Sequence, residues 1–295
     1  MDITESLVQK LIQEQFPQWA HLPITPVAVS GWDNRTFHLG SQMSVRLPSG
    51  QYYAAKVLKE QTWLPFLAPH LSLAVPQPVA MGKPSTDYPW NWSIFQWING
   101  TSANIIADDK LDLRGIAYTL AQFLHELHEI DTTNVPLLPG PHNGYRGDVP
   151  AIYDEETRHA LEQLHGVVDT QVAAELWSTA MHSRWHKNPV WIHGDLSAGN
   201  IIIHHGVLTA VIDFGGMGIG DPACDLVIAW TLFCGESRTI FKLHVGLDDD
   251  TWNRARGWAL WKALITLAPL KDAMNEQALR QKYIINELIK EYKTL

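Results

Sequence analysis

Hydrophobic residues follow helical spacing at the N-terminus and then change to short strand-like runs. In residues 1–16 apolar side chains recur every three or four positions, with Asp2 and Glu5 placed as a cap, which predicts an amphipathic helix. The runs that follow are rich in β-branched or aromatic residues and are separated by turn-forming residues, as is typical of strands. These runs are ITPVAVS, RTFHLG and MSVRLP, and a helical segment at 50–67 comes after them.

The pattern changes again near residue 100. An aromatic strand, WNWSIFQWI, ends at Asn99-Gly100, and the chain beyond it is mostly helical. Segment 190–214 interrupts the helices with short strands around turns, including a hairpin bend at His205-Gly206, and helices resume at Asp221. The pattern therefore predicts an α+β fold with a small β-rich N-terminal lobe, residues 1–99, and a larger, mainly helical C-terminal lobe, residues 100–295.

The helix predicted over residues 109–131 has a continuous apolar stripe. Its members are Leu113, Ile116, Leu120, Leu124 and Leu127. His125 and His128 lie on the same helix. We interpret them as packed or solvated helix residues, because no third metal ligand lies nearby in the sequence.

Composition narrows the class of protein. The chain has 295 residues, 46% of them hydrophobic and 18% charged, which predicts a folded core. Its formal net charge of −9 argues against nucleic acid or an anionic membrane as a partner, since both need clustered Lys and Arg. The longest apolar run, 226–234, is too short to span a bilayer. Cys224 and Cys234 form no disulfide framework, so we expect a reduced, cytoplasmic protein.

The chemistry-bearing residues are concentrated in the interrupting segment. WIHGDLSAGN, residues 191–200, has the spacing H-x-D-L-x-x-x-N of the protein-kinase catalytic loop, and a D-F-G sequence follows at 213–215. Phosphoryl transfer needs an acceptor held in line and metal ions that neutralise charge on the phosphate oxygens. Asp195, Asn200 and Asp213 supply the hard oxygen ligands that Mg²⁺ prefers.

These motifs resemble the aminoglycoside phosphotransferase family, small-molecule kinases that are related to choline kinase and share the protein-kinase fold. HGDLSAGN and VIDFGGMGIGDPACDL carry the resemblance most specifically, and GWDNRTFHLG with VRLP carries it more loosely. The resemblance implies a bilobal protein-kinase-like fold. It also implies Mg²⁺ with ATP or GTP as cofactors, and transfer of the γ-phosphoryl group to a substrate hydroxyl.

Residue roles follow from the same resemblance. Asp195 is expected to be the catalytic base or hydroxyl-orienting residue, and Asn200 and Asp213 the magnesium ligands. His193 is expected to organise the loop by packing and hydrogen bonding. Asp225 resembles the family residue that supports the backbone of this loop, and it is also placed to act as a favourable charge at a helix N-terminus.

Gly194 stands where protein kinases carry an arginine. That arginine commonly pairs with a phosphorylated activation loop. Here only Gly216 to Gly220 separate the D-F-G sequence from Asp221-Pro222, a typical helix start. With no long loop to order, we expect a constitutively competent kinase with a small acceptor.

The nucleotide-binding cation has two candidates. YYAAKVLK looks like the V-A-I-K strand of protein kinases and would make Lys56 the phosphate contact. However, the next acidic residue, Glu60, is only one helical turn away, so Lys56 and Glu60 are better explained as an ordinary surface pair. If MSVRLP is the strand, Arg46 is the cation. Glu60 then lies on the apolar face of the following helix, where it needs a partner, so we favour Arg46 paired with Glu60.

Backbone groups are expected to supply the remaining nucleotide contacts. VSGWDNRTF, which includes Ser30 and Gly31, should cover the phosphates with its N–H groups, although it lacks G-x-G-x-x-G and a plain hairpin is the alternative. The strand SIFQWING should run into the hinge, where Gln96 C=O and Ile98 N–H would face the base, with Phe95 behind them.

The acceptor is weakly encoded. The resemblance favours a hydroxylated, often cationic small molecule such as an aminoglycoside, and with it a role in antibiotic resistance. Choline, homoserine, a thio-sugar or a macrolide are alternatives within the fold. A metallophosphatase and a catalytically silent nucleotide-binding module are alternatives of a different class. Acidic residues 154–156 and 248–250 would suit a cationic acceptor, but they are equally explained as solvated helix ends. We expect a monomer or dimer.

Overall fold

The computed structural model describes residues 2–28, 31, 33–270 and 274–295. The chain divides into two compact units. The first contains residues 1–101 together with 202–205 and 209–215, and the second contains 102–201, 206–208 and 216–295. The chain therefore returns to the first unit through a hairpin after it has entered the second.

The first unit is built on a five-stranded antiparallel sheet. The strand order is β1-β2-β3-β5-β4. Its strands are β1 (Ile24–Pro26), β2 (Asn34–Leu39), β3 (Met43–Pro48), β4 (Pro78–Gly82) and β5 (Trp92–Gln96). Two helices accompany the sheet, α1 (Glu5–Gln15) and α2 (Gln51–Leu67). The strand and helix types predicted for this region are therefore confirmed.

The core of the first unit joins α1 to one face of the sheet. It contains Val8, Leu11, Ile12, Ile24, Phe37, Leu39, Val45, Leu47, Tyr88, Trp92 and Ile94. Burying each large apolar side chain contributes about 1.5–3 kcal/mol, so this contact anchors the N-terminal helix. The helix begins after Thr4, whose side-chain oxygen accepts a hydrogen bond from Leu7 N–H. The predicted cap at Asp2 and Glu5 is wrong, because the Thr4 hydroxyl takes that role.

The second unit is mainly helical, as predicted. Its helices are α3 (Leu113–Glu129), α4 (Asp154–Gln163), α5 (Thr170–His182), α6 (Ile228–Thr231), α7 (Gly235–Val245), α8 (Asp249–Leu267) and α9 (Glu276–Tyr292). Helix α8 packs against α4, α5 and α9, and α3 packs against α7. The described residues include no helix that is both long enough and apolar enough to cross a membrane.

Short strands interrupt these helices. They are β6 (Thr101–Ser102), β7 (Val190–Ile192), β8 (Ile201–His204), β9 (Val207–Val211) and β10 (Gly218–Gly220). β7 pairs antiparallel with β10. β8 and β9 form the predicted hairpin, and the backbone φ angles of His205 and Gly206 are +51° and +81°, as a two-residue hairpin turn requires. The two loops that carry the chemistry-bearing residues begin where β7 and β9 end.

Helix α3 carries a half-buried histidine, His128, whose ring nitrogen Nε2 is itself buried. His128 Nε2 has no hydrogen-bond partner among the residues that the structure describes. Burial, with a smaller contribution from His125, lowers the pKa of His128 to about 4 from its ordinary value of 6.5. The side chain is therefore neutral and packed, which is one of the two interpretations that the sequence allowed.

Replacing His128 should flatten the pH dependence of stability. Because its folded-state pKa is lowered, neutral His128 contributes stability above pH 6.5 that is lost as the pH falls towards 4. We expect the wild-type unfolding midpoint to fall more steeply over this range than that of His128→Leu. His125→Leu is the matched control, since His125 is exposed on the same helix. It should keep most of the wild-type slope, because burial is the larger cause of the lowered pKa. Equal slopes for wild type and His128→Leu would contradict the assignment.

Candidate active site

A buried carboxylate holds the backbone of the loop that carries Asp195. Asp225 is fully buried, and its two carboxylate oxygens accept hydrogen bonds from His193 N–H and Gly194 N–H, each at 2.7 Å. Burial raises the pKa of the Asp225 carboxyl, and the two bonds oppose that rise by favouring the charged form. This contact is the loop support that the sequence predicted for Asp225.

The turn that carries Asp225 is itself anchored. Residues Pro222–Val227 form a 3₁₀ turn, with Asp221 at its N-cap accepting a hydrogen bond from Ala223 N–H, as the sequence predicted. Asp221 also forms an ion pair with Arg254 of α8, with Nε to Oδ2 at 2.5 Å. The Arg254 side chain is completely buried. Helix α8 thus fixes the turn, and the turn fixes the loop.

Within the loop, side chains and backbone hold one another in place. His193 is completely buried, and its Nδ1 accepts a hydrogen bond from Asp195 N–H at 3.2 Å. Nδ1 must be unprotonated to do so. Asn200 Nδ2 donates to the Asp195 carbonyl oxygen at 2.9 Å, which leaves the amide oxygen as the Asn200 atom suited to a metal ion. Asp195 itself is exposed.

Gly194 has a steric reason to be glycine. Its backbone φ is +83°, in the left-handed region, and a Cβ placed on it would lie 2.2 Å from the carbonyl oxygen of Gly216. The sequence interpretation rested on the missing activation loop. The structure adds that the backbone of Gly216 occupies the space that any side chain at position 194 would need.

In the first unit, Asp213 is held in an unusual backbone conformation. It follows β9, and its φ of +64° is uncommon for a residue with a side chain. Such strained conformations cluster at functional sites, where surrounding contacts maintain them. Arg46 Nη2 lies 3.4 Å from Asp213 Oδ1, and the Asp213 side chain is 36% exposed. Asp213 therefore presents a partly accessible carboxylate beside a cation.

Arg46 links this carboxylate to helix α2. Its Nη1 lies 3.2 Å from Glu60 Oε1, with side chains 15% and 6% exposed, so the predicted ion pair is present. The guanidinium also lies over the Phe95 ring, 5.4 Å from its centroid. Burial raises the pKa of Glu60, and the charge of Arg46 opposes the rise. Three separate elements thus bring Arg46, Glu60 and Asp213 together.

Lys56 departs from its predicted pairing. The expectation of a surface pair with Glu60 is wrong, because Glu60 turns inward to Arg46. Lys56 Nζ instead lies 2.7 Å from Asp33 Oδ2. Sequence reasoning missed Asp33, and the only available signal was its place in the loop that was expected to cover the phosphates.

The other predicted nucleotide contacts lie on loops and strand ends of the first unit. Ser30 lies outside the described residues. The carbonyl oxygen of Gly31 accepts a hydrogen bond from Arg35 Nη1 at 3.0 Å. Gln96 is the last residue of β5, and Ile98 follows it in the segment leading to Gly100. The roles of these residues as base and phosphate contacts stay predictions.

The first residue of each acidic cluster takes a structural role at the start of a helix. Asp154 accepts hydrogen bonds from Arg158 Nε and from Trp177 Nε1. Asp248 caps α8 by accepting from Thr251 N–H. These contacts match the interpretation of the clusters as helix ends.

The oxygen donors fit a magnesium ion shared with a nucleotide. Among the described residues there is no group of three or more His, Cys, Asp or Glu side chains that could hold a metal ion by themselves, as a metallophosphatase centre would require. Magnesium bound with a nucleotide needs only one or two protein carboxylates, because phosphates and water complete its coordination. The accessible Asp213 carboxylate meets that requirement.

Comparison with known proteins identifies the family. The model of the phosphotransferase enzyme family, APH, matches residues 24–258. The chain belongs to this family. The resemblance and the protein-kinase-like fold inferred from the sequence are therefore confirmed.

The individual relatives of this phosphotransferase family member share less than a third of their aligned residues with it. The chain is 28% identical over 193 residues to an aminoglycoside 3′-phosphotransferase of Escherichia coli, a match that covers 60% of this chain and 64% of the relative. A second E. coli aminoglycoside 3′-phosphotransferase is matched over 61% of its length. The chain thus spans less than two thirds of the length of both of these curated relatives.

Solved structures match over nearly the whole chain. The GDP and kanamycin complex of APH(2″)-IIia has a TM-score of 0.69 at 21% identity, covering 97% of this chain and 98% of that one. The apoenzyme of macrolide 2′-phosphotransferase MphH from Brachybacterium faecium has a TM-score of 0.60 at 19% identity, covering 95% and 97%. At these identities the likeness shows the fold.

Gly194→Ala should destabilise the protein more than a left-handed backbone alone explains. An alanine there would incur about 1–2 kcal/mol for the left-handed conformation and about 1–3 kcal/mol for displacing Gly216, as estimated for overpacked sites. Gly166→Ala is the matched control, since Gly166 has a φ of +78° with nothing within 4 Å of an added Cβ. We expect denaturant unfolding to show the smaller loss for Gly166→Ala. Equal losses would mean that the close approach of Gly216 imposes no cost.

Proposed function

We propose that this protein is a small-molecule O-phosphotransferase that moves the γ-phosphoryl group of ATP or GTP to a substrate hydroxyl. The observation that carries the proposal is the contact chain Glu60–Arg46–Asp213. A cation anchored by a helix glutamate, beside the aspartate of a D-F-G sequence, is the arrangement that phosphoryl-transfer enzymes use around the nucleotide phosphates. Family membership supports the same reaction class.

In this proposal each residue keeps the role that its motif implies. Arg46 binds the nucleotide phosphates and is oriented by Glu60. Asn200 and Asp213 would hold Mg²⁺, and the ion would neutralise charge on the β- and γ-phosphate oxygens. Asp195 accepts the proton of the acceptor hydroxyl or orients that hydroxyl for attack. Asp225 keeps the Asp195 backbone in place through His193 and Gly194.

An aminoglycoside is the acceptor class with the best support. Both curated relatives are aminoglycoside 3′-phosphotransferases, and a structural neighbour was solved with kanamycin. A macrolide is the second candidate, because another neighbour of similar fold is a macrolide 2′-phosphotransferase.

We further propose that the protein works in the cytoplasm, where ATP, GTP and magnesium are supplied, as a monomer or dimer. Its two cysteines are free thiols, Cys224 buried and Cys234 exposed, which supports a reducing compartment.

A transfer assay tests the proposed reaction. The purified protein would be incubated with magnesium and ATP or GTP in the presence of kanamycin, a macrolide, choline, homoserine or a thio-sugar. We expect the mass of at least one antibiotic to rise by one phosphoryl group, with stoichiometric release of ADP or GDP. Release of inorganic phosphate with no phosphorylated acceptor would instead indicate a hydrolase.

Two substitutions should separate chemistry from nucleotide binding. Asp195→Asn should keep nucleotide affinity and lose turnover by about 10²–10⁴-fold, the usual scale for a positioned acid–base group. Asp213→Ala should weaken magnesium–nucleotide binding itself, since it removes a metal ligand. Titration calorimetry and turnover measured on both variants check this division. Undiminished turnover in Asp195→Asn would remove Asp195 from the mechanism.

A further inference from the structure

Lys56 extends its ammonium group to the same turn that carries Asp213. A Cβ built on Gly215 would lie 3.7 Å from Lys56 Nζ and 3.5 Å from Asp213 Oδ1. The ammonium and the carboxylate therefore flank one point beside the D-F-G turn. Lys56 is thus a second cation near Asp213, in addition to Arg46. It has no role in the function proposed above.

The Lys56 ammonium is enclosed enough to need an anion. Its side chain is 18% exposed, and Nζ lies 5.3 and 5.1 Å from the ring centroids of Tyr52 and Tyr53. Burial acts to lower the pKa of Lys56, but the hydrogen bond and charge of Asp33, together with the charges of Asp213 and Tyr52, outweigh it and raise the pKa above its ordinary value. Lys56 therefore stays positively charged at neutral pH.

Asp33, the present partner of Lys56, does not need that ion pair to hold its backbone. Its carbonyl oxygen accepts hydrogen bonds from Ser49 N–H at 2.9 Å and from Ser49 Oγ at 3.1 Å. Its carboxylate is 32% exposed and could return to water. The Lys56–Asp33 contact can therefore open without releasing the backbone at position 33.

We propose that Lys56 binds the terminal phosphate of the nucleoside triphosphate, and that Asp33 is its counter-ion only while the nucleotide is absent. This inference rests on the proposed function. Asp213 is the residue that would hold the magnesium ion, which would neutralise charge at the β- and γ-phosphate end of the nucleotide, so a cation beside Asp213 is placed to meet that end. A phosphate carries more negative charge than the Asp33 carboxylate and offers more acceptor oxygens, so it displaces Asp33 from Lys56.

Calorimetric titration with two nucleotides tests the proposal. The probes are MgADP and the magnesium complex of a non-hydrolysable ATP analogue with an imido group between the β- and γ-phosphorus atoms. Lys56→Met should weaken binding of the ATP analogue by about 10- to 100-fold, the range for a hydrogen bond to a charged group, and change MgADP binding by less than about threefold. Lys56→Arg should recover most of the preference for the analogue.

Asp33→Asn should have the opposite effect. It removes the competing anion, so the ATP analogue should bind more tightly than it does to wild type. A pair that merely holds the loop would behave differently, since either substitution would then weaken binding. Opposite changes in analogue affinity for Lys56→Met and Asp33→Asn therefore indicate a phosphate-binding lysine, and weaker binding in both variants indicates a structural ion pair.

The Lys10–Asp87 pair is the matched control. It also joins Nζ to Oδ2 at 2.7 Å in the first unit, and its side chains are 52% and 36% exposed. Lys10→Met and Asp87→Asn should leave both nucleotide affinities unchanged. Thermal unfolding of every variant checks that each one folds, and if Lys56→Met does not fold, Lys56→Arg and Asp33→Asn carry the test.

Three results would overturn the inference. They are equal weakening of the two nucleotides by Lys56→Met, unchanged affinity in that variant, and weaker analogue binding by Asp33→Asn. If wild-type protein binds neither nucleotide, the proposed function fails and this inference fails with it. If wild type binds both nucleotides and the variants give one of the three results above, the proposed function stands and only the role of Lys56 is rejected.

Discussion

The buried Asp225 carboxylate is the interaction on which the order of the Asp195 loop depends. Two backbone N–H groups donate to its two oxygens, so all three groups are satisfied in a site closed to water. The support continues outward through Asp221 to the fully buried Arg254. Buried groups thus position the backbone of the exposed Asp195. Its side chain can move without shifting that backbone.

The first unit shows a different principle, in which the two cations described near the D-F-G turn are each matched by a carboxylate. Arg46 is shared between Glu60 and Asp213, and Lys56 is paired with Asp33. The side chain of Glu60 is buried, whereas those of Asp213 and Asp33 are about one third exposed. The exposed carboxylates are the ones that can change partners, so the electrostatic balance at this turn can shift towards a ligand without leaving a buried charge uncompensated.

The sequence predicted the features that short motifs encode, and it failed for contacts between residues that are far apart along the chain. The loop spacing and the D-F-G sequence indicated the family, and the polar residue on the apolar face of α2 revealed the Arg46–Glu60 pair. The i,i+4 rule for exposed pairs misassigned Lys56, because its true partner lies 23 residues away on a loop. The backbone collision behind Gly194 was invisible for the same reason, since Gly216 is near in space and distant along the chain.

That glycine also limits how the chain could come under regulatory control. An arginine at position 194 would need a left-handed backbone and would collide with the peptide group of Gly216. A Gly194→Arg substitution alone therefore cannot supply the arginine that pairs with a phosphorylated activation loop in protein kinases. A substitution there would have to be accompanied by rebuilding of residues 216–220. The short connection after the D-F-G sequence and the glycine at position 194 therefore fit each other sterically.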